Sequence, residues 1–393
     1  LIIGHRSKEY QEVGVMNGLA GKNSLLIFVG FFAAALLIGG CAPRAPVPIP
    51  TLGTPEHHTY SGMRLLEKGK LMDAEREFEV ARELDCTYAP AYRGLALVLG
   101  YSGDSKAAFH YMEKAEALAK GKQEKALAYV GFMRLHTQQK AQGWLGQVES
   151  YFREAMQTLR GLPVMPDPYY HMGIAYKEAF LFSNAAGAFK KVLEINKTLM
   201  READQQLSTV QKIERAMPTT LTGKRIALLD KVSRIDVAAL FIQELRLDKV
   251  YEDLETPRTG EVPIPPDVKD HPLRADVQRV ISLGINGLDT FPDGTFAPDE
   301  SILRASYAMM IADIIRTLTH DPSLTNKYQG TDSPFADVSK DVPYFNAVMV
   351  CTTRGIIEAK DGMKQGVFGP MDSVSGAEAV LAIRRLREDL RLF

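Results

Sequence analysis

Gly284-Ile285, Asp293-Gly294-Thr295-Phe296-Ala297-Pro298 and Ile302-Leu303-Arg304-Ala305 follow one another near the C-terminus and form one copy of a recurring pattern. A second copy reads Gly355-Ile356-Ile357, then Val367-Phe368-Gly369-Pro370, then Val374-Ser375-Gly376-Ala377-Glu378. The spacing from Pro298 to Arg304 equals that from Pro370 to Gly376. An upstream copy keeps only the last part, Asp230-Lys231-Val232-Ser233-Arg234-Ile235-Asp236. Fixed spacing on this scale marks a supersecondary unit that buries its apolar face against its neighbours.

The physics of one unit follows from its residues. Asp276 to Leu283 carries Val277, Val280, Ile281 and Leu283 at helical spacing, and Gly284 ends that helix. In the Gly/Pro/Asp loop that follows, Phe296 is the apolar plug. A second helix starts at Ser233 or Ser375, each with an acid three residues on (Asp236, Glu378), which is a capping box. The Arg position falls in the first turn of that helix, where a guanidinium and free backbone N–H groups face one anion together. Asp289, Asp293, Gly294 and Glu300 half-match a calcium loop, but Phe291 stands where an oxygen ligand belongs, so the loop reads as a structural turn.

A helix, Gly-Ile, a D-G-x-F-x-P loop and a T/S-R-A-E-like helix start resemble the S-layer homology (SLH) family. The likeness covers residues 217–393: a degraded copy at about 217–250 and fuller copies at 264–319 and 334–390. It implies a helical pseudo-threefold prism that binds cell-wall polysaccharide or a peptidoglycan-linked polymer non-covalently, holding acidic glycan groups near the Arg-bearing helix starts. Arg234 and Arg304 match the family's Arg and are the implied glycan-binding residues; Gly376 departs from it. Ser306 stands in place of the acid after Arg304, and Leu303 in place of the capping hydroxyl. The stretch 216–229 is too weakly patterned to supply the first helix of the degraded copy. If that helix came from the preceding module, the two modules would be rigidly fused.

That preceding module repeats as well. Gly69, Ala74, Phe78 and Ala81 recur as Gly103, Ala108, Met112 and Ala115, each displaced by 34 residues. With Tyr169, Met172-Gly173, Tyr176, Ala185 and Phe189, the pattern is similar to tetratricopeptide (TPR) repeats. Within the module at 57–216, residues 57–200 therefore read as about four helix pairs, with a helix near 200–216 capping the stack. The fold class is all-α: a TPR α-solenoid followed by an SLH-type pseudo-threefold repeat domain. Such solenoids present a concave groove to a protein or peptide partner. Arg93, Tyr170 and Lys177 fall on the groove face and are the candidate partner contacts.

The N-terminus supplies an address. Leu25 to Ile38 is almost uninterruptedly apolar, preceded by Lys22 and followed by Gly39-Gly40-Cys41. It is short for a transmembrane helix and has the layout of a secretory signal. Ile38-Gly39-Gly40-Cys41 resembles the bacterial lipobox, which implies cleavage before Cys41 and lipidation (palmitate among the chains) of its thiol. Residues 16–40 are then the signal peptide, 1–15 an upstream extension, and 41–56 a lipidated Cys with a Pro-rich tether, followed directly by the His57-His58 pair. Ala42 after the Cys implies the periplasmic face of the outer membrane in a diderm organism.

Bulk composition narrows the function. Lys+Arg 47 against Asp+Glu 48 leaves no basic excess, which argues against nucleic acid as a partner. Of the three cysteines, Cys86 and Cys351 lie among apolar neighbours in different modules, so no disulfide framework is indicated. No metal constellation, cofactor motif, H-E-x-x-H or G-x-S-x-G occurs, and no enzyme is expected. The expected protein is a lipid-anchored, non-catalytic envelope adaptor. The alternative is a TPR lipoprotein that assembles an outer-membrane or secretion complex, with the SLH-like part as a docking scaffold.

Overall fold

A computed structural model describes residues 53–252, 262–360 and 366–392. The signal-like segment, Cys41 and the tether up to residue 52 lie outside the described residues. Among the described residues the regular structure is all-α, with sixteen α-helices and only isolated β-bridges. None of these helices is long and apolar enough to cross a membrane.

The first eight helices form four consecutive hairpins: α1 (Pro55–Glu67) with α2 (Leu71–Leu84), α3 (Ala89–Tyr101) with α4 (Ser105–Leu118), α5 (Lys122–Gln139) with α6 (Trp144–Thr158), and α7 (Asp167–Glu178) with α8 (Phe182–Ile195). The first helix starts inside the stretch expected as tether. Thr54 accepts a hydrogen bond from the His57 amide and Pro55 takes the first helical position, so His57 and His58 are helical, and His58 Nδ1 lies 2.7 Å from Glu77.

Small-against-large packing sets the hairpin spacing. Phe78 is fully buried between Gly62 and Gly94; a Cβ on Gly94 would lie 2.3 Å from its ring. Phe189 sits in the same way against Gly173, and Met112 against Gly131. The alanines that recur with period 34 (Ala74, Ala81, Ala108, Ala115) are buried, as the spacing requires. Removing one such aromatic forfeits its transfer energy and opens a cavity, about 3–5 kcal/mol for Phe→Ala.

Helix α9 (Met200–Ala216) packs on α8 through Ala203, Leu207 and Val210, while Ile213 and Ala216 belong to the core of the C-terminal module. That module continues with α10 (Leu221–Ile226), α11 (Arg234–Ala239) running into a π-helical turn at Leu240–Glu244, α12 (Leu247–Glu252), α13 (Arg274–Leu283), α14 (Arg304–Thr319), α15 (Phe345–Thr353) and α16 (Gly376–Asp389). Three helix interfaces close the module: α11 on α13, α14 on α15, and α16 on α9 and α10. Thus α9 stands where the degraded copy lacks its own first helix. The buried Glu244 pins this junction, accepting hydrogen bonds from the amides and hydroxyls of Thr219 and Thr220 at 2.5–3.1 Å.

The pseudo-threefold axis is visible in the backbone. Val232 N–H donates to the Val374 carbonyl (2.9 Å), Val374 N–H to Ile302 (3.0 Å), and Ile302 N–H to Val232 (3.0 Å). Each residue gives one bond and takes one, a closed ring that satisfies three buried amides at the centre of the module. These are equivalent positions of the three copies, including the degraded one. The expected caps are present: Ser233/Asp236 and Ser375/Glu378 form capping boxes, whereas Leu303 offers no side-chain cap. Gly284 adopts φ 62° at the end of α13, a conformation that costs other residues steric strain.

Candidate functional site

The repeat arginines point into the protein. Arg234 is 8% exposed and Arg304 2%. Arg234 Nε donates to the Phe296 carbonyl (2.7 Å), Nη1 to Gly287 (2.6 Å) and Nη2 to Asp289 (2.7 Å). Arg304 repeats the arrangement on the next copy, donating to the carbonyls of Phe368 (2.8 Å) and Glu358 (2.7 Å) and to the Glu378 carboxylate (3.2 Å). Each guanidinium lies over the fully buried plug ring, 4.8 Å from Phe296 and 4.7 Å from Phe368. Burial lowers the pKa of both arginines, and nearby acids oppose it. The solvent-facing anion site expected on Arg234 and Arg304 is therefore not where the structure puts their charge: it is engaged by loop carbonyls and holds the next copy's loop in shape.

Two acids complete that loop, and the repeat pattern does not single them out. Asp267 accepts from the amides of Phe296 (3.0 Å) and Ala297 (2.7 Å), and Asp337 from those of Phe368 (2.9 Å) and Gly369 (2.7 Å). A signal is nevertheless present: both sit in an Asp-Val dipeptide (Asp267-Val268, Asp337-Val338) ahead of the unit, with the valines buried. In the loop itself Asp293 accepts from the amide and hydroxyl of Thr295, which pulls its carboxyl below the usual range and makes it a turn former.

The three pseudo-equivalent positions are not equally open. Beside Arg234 lies a groove of about 560 Å3. Beside Arg304 the space shrinks to about 10 Å3, and Glu378 and Glu358 at that position also face Lys212 (3.9 Å) and Arg215 (3.4 Å) of α9. At the third, a Cβ on Gly376 would lie 1.7 Å from the Ile226 carbonyl oxygen, so backbone fills the place that a side chain takes elsewhere.

The open groove has both faces and edges to offer a ligand. Phe291 and Met309 are 42% and 47% exposed, over a floor that includes Ile302, Met310 and Leu324. Asp313 is held by Asn286 (2.7 Å) and by Arg316, and Asn346 also lines the groove. The reachable cation of this groove is Arg316, about three helical turns beyond the arginine that the sequence pattern emphasises.

The solenoid carries a second concavity of about 710 Å3. Arg93 and Tyr170 line it as expected; Lys177 does not, and its ammonium instead donates to Gln206 (2.9 Å), linking α7 to α9. Arg134, Asp167 and His171 join Arg93 there. Arg134 is hidden in the sequence because the third hairpin breaks the 34-residue period. Aligned on Gly94 and Gly131, however, Arg93 stands one residue before its glycine and Arg134 three after, two positions of the same helix face. Burial and Arg134 hold His171 well below the usual imidazole range, while burial raises Asp167 against the pull of Arg93 and Arg134.

Comparison with known families agrees with the prism. Residues 334–380 match the S-layer homology domain model. They span the Asp337 loop, α15 and the start of α16. An S-layer homology domain is a non-catalytic binding domain and associates its bearer with the cell envelope. The four hairpins fit TPR-like repeats. No curated protein matches the chain. Among the described residues no His/Cys/Asp/Glu group is placed to hold a metal ion, and buried Cys351 has its thiol pushed far above the usual range by burial.

Proposed function

We propose that the chain is a lipid-anchored, non-catalytic adaptor of the cell envelope. The prism binds cell-wall polysaccharide or a peptidoglycan-linked polymer, the solenoid binds a protein partner, and Cys41 carries the lipid that holds both at the membrane, on the periplasmic face of the outer membrane in a diderm cell. The observation that carries the reading is the S-layer homology match at 334–380 within a closed threefold module that keeps one groove open. Sugar rings have apolar faces and polar edges. Phe291 and Met309 supply surfaces for the former, and Asn286, Asp313 and Arg316 supply partners for the latter. An acidic substituent of the glycan meets Arg316, while Arg234 shapes the groove wall from behind.

Co-sedimentation of the Cys41→Ser chain with purified sacculi bearing their native polymers tests this. Asp313→Ala combined with Arg316→Ala is expected to abolish pelleting with helicity intact. Pelleting that survives the pair moves the site elsewhere, and no pelleting of the parent chain overturns the glycan reading. Two of the three positions being filled by the protein itself favours one further reading, an assembly factor whose prism only docks protein. It predicts a membrane complex that persists after wall polymer is removed.

A further inference from the structure

We propose that the solenoid groove takes a peptide segment in which one Asp or Glu is flanked on both sides by Lys or Arg, with the carboxylate seated between Arg93 and Arg134. This rests on the reading of the solenoid as a protein-binding module and names the chemistry of its partner.

Four observations converge on that charge pattern. The arginines share one face, because the Arg93 stem lies over Gly131 (a Cβ there would be 3.5 Å from its Cγ) and Arg134 follows one helical turn later. Neither makes an ion pair among the described residues. Arg134 reaches Tyr101, with a long contact to its hydroxyl at 3.4 Å and its guanidinium 6.0 Å from the ring centre, but no acid, whereas Lys140 close by is firmly paired to Glu178 at 2.6 Å. Two unpaired guanidinium groups in a concavity repel each other, and burial and Arg134 together lower the pKa of Arg93. A bound carboxylate relieves that repulsion and gains charge-assisted hydrogen bonds from both.

The groove's own acid does not fill this role. Asp167 interacts with both arginines but lies beyond ion-pair distance of either, and its burial weakens its ionised form. His171 stays neutral beside Arg134 and adds no cation. At the two ends of the lining the charge reverses. Glu67 on α1 and Glu202 on α9 are exposed and make no ion pair among the described residues. A run of acids entering the groove would be repelled at both ends, so the favoured occupant carries a single central acid with cations on either side. The volume, about 710 Å3, lies within the range of roughly 300–1,000 Å3 usual for sites that enclose a ligand.

Selection of a displayed library of random nonapeptides on the immobilised full chain tests the proposal. Enriched peptides are expected to show an internal acid between basic residues. A labelled enriched peptide should lose about tenfold or more in affinity on Arg93→Gln with Arg134→Gln, the size of a lost charged hydrogen bond. Replacing the peptide's acid by its amide on the unaltered protein should cost as much, which keeps the test valid if the double variant misfolds. Enriched peptides without an internal acid, including any held by a terminal carboxylate alone, overturn the proposal but leave the solenoid a protein-binding module. Affinity indifferent to both changes does the same. Absence of any enrichment overturns the module reading itself, and the proposal with it.

Discussion

Arg304 shows how much one side chain contributes when its donors are spent inside the protein. Its guanidinium bonds two loop carbonyls and one carboxylate and covers a buried ring, all at 2% exposure. Arg304→Met keeps much of the volume but leaves those acceptors unpaired, so it is expected to cost about 3 kcal/mol in urea unfolding. Asp276 behaves in the opposite sense. It is buried at the start of α13, with one bond from Gln243 (2.7 Å), and burial raises its pKa above the ordinary 3.8. A raised acid favours the folded state below its unfolded pKa and loses that contribution as pH rises through the folded value. Asp276→Asn should therefore raise the urea midpoint at pH 7 and leave it unchanged at about pH 3.

Among the elements, α9 is the one shared by both modules. Its N-terminal half packs on α8, and its C-terminal half enters the prism core through Ile213 and Ala216. The ion pairs from Lys212 and Arg215 to Glu378 and Glu358 are partly exposed and contribute little. The apolar contact dominates. Ile213 is fully buried, and Ile213→Ala is expected to cost about 2–5 kcal/mol. Because α9 carries both cores along one helix, thermal unfolding followed by tryptophan fluorescence at Trp144 in the solenoid and by hydrogen exchange in α16 should shift together. A shift confined to one module would show that α9 belongs to that module alone.

At the scale of the molecule, the borrowed helix makes the prism dependent on the solenoid's last element. A C-terminal fragment beginning at Met200 retains the complete ring of three copies, whereas one beginning at Pro218 lacks the helix that faces α16. Circular dichroism with a thermal melt should show a cooperative transition for the longer fragment and its loss for the shorter. The same arrangement explains the asymmetry of the grooves. The first position is free, the second faces α9, and the third is closed by the backbone of α10. Solenoid and prism thus share α9 as one continuous body, with the open groove at the first of the three positions.

What the sequence by itself determined is what depends on local spacing: helical character, the capping boxes at Ser233 and Ser375, the turn at Gly284, the Phe296 plug and the small residues around Phe78. These follow from periodicity and from backbone chemistry within a few residues. The tertiary structure alone decided the fate of the arginines. A guanidinium in a first helical turn has the same local sequence whether it faces solvent or a loop 62 or 64 residues away. It also decided that α9 completes the degraded copy and that Arg134 joins Arg93, because both depend on which helices become neighbours when the cores close. A borrowed helix leaves no periodic signal in the copy that borrows it, and surface area buried between distant segments is written in no single stretch of the chain.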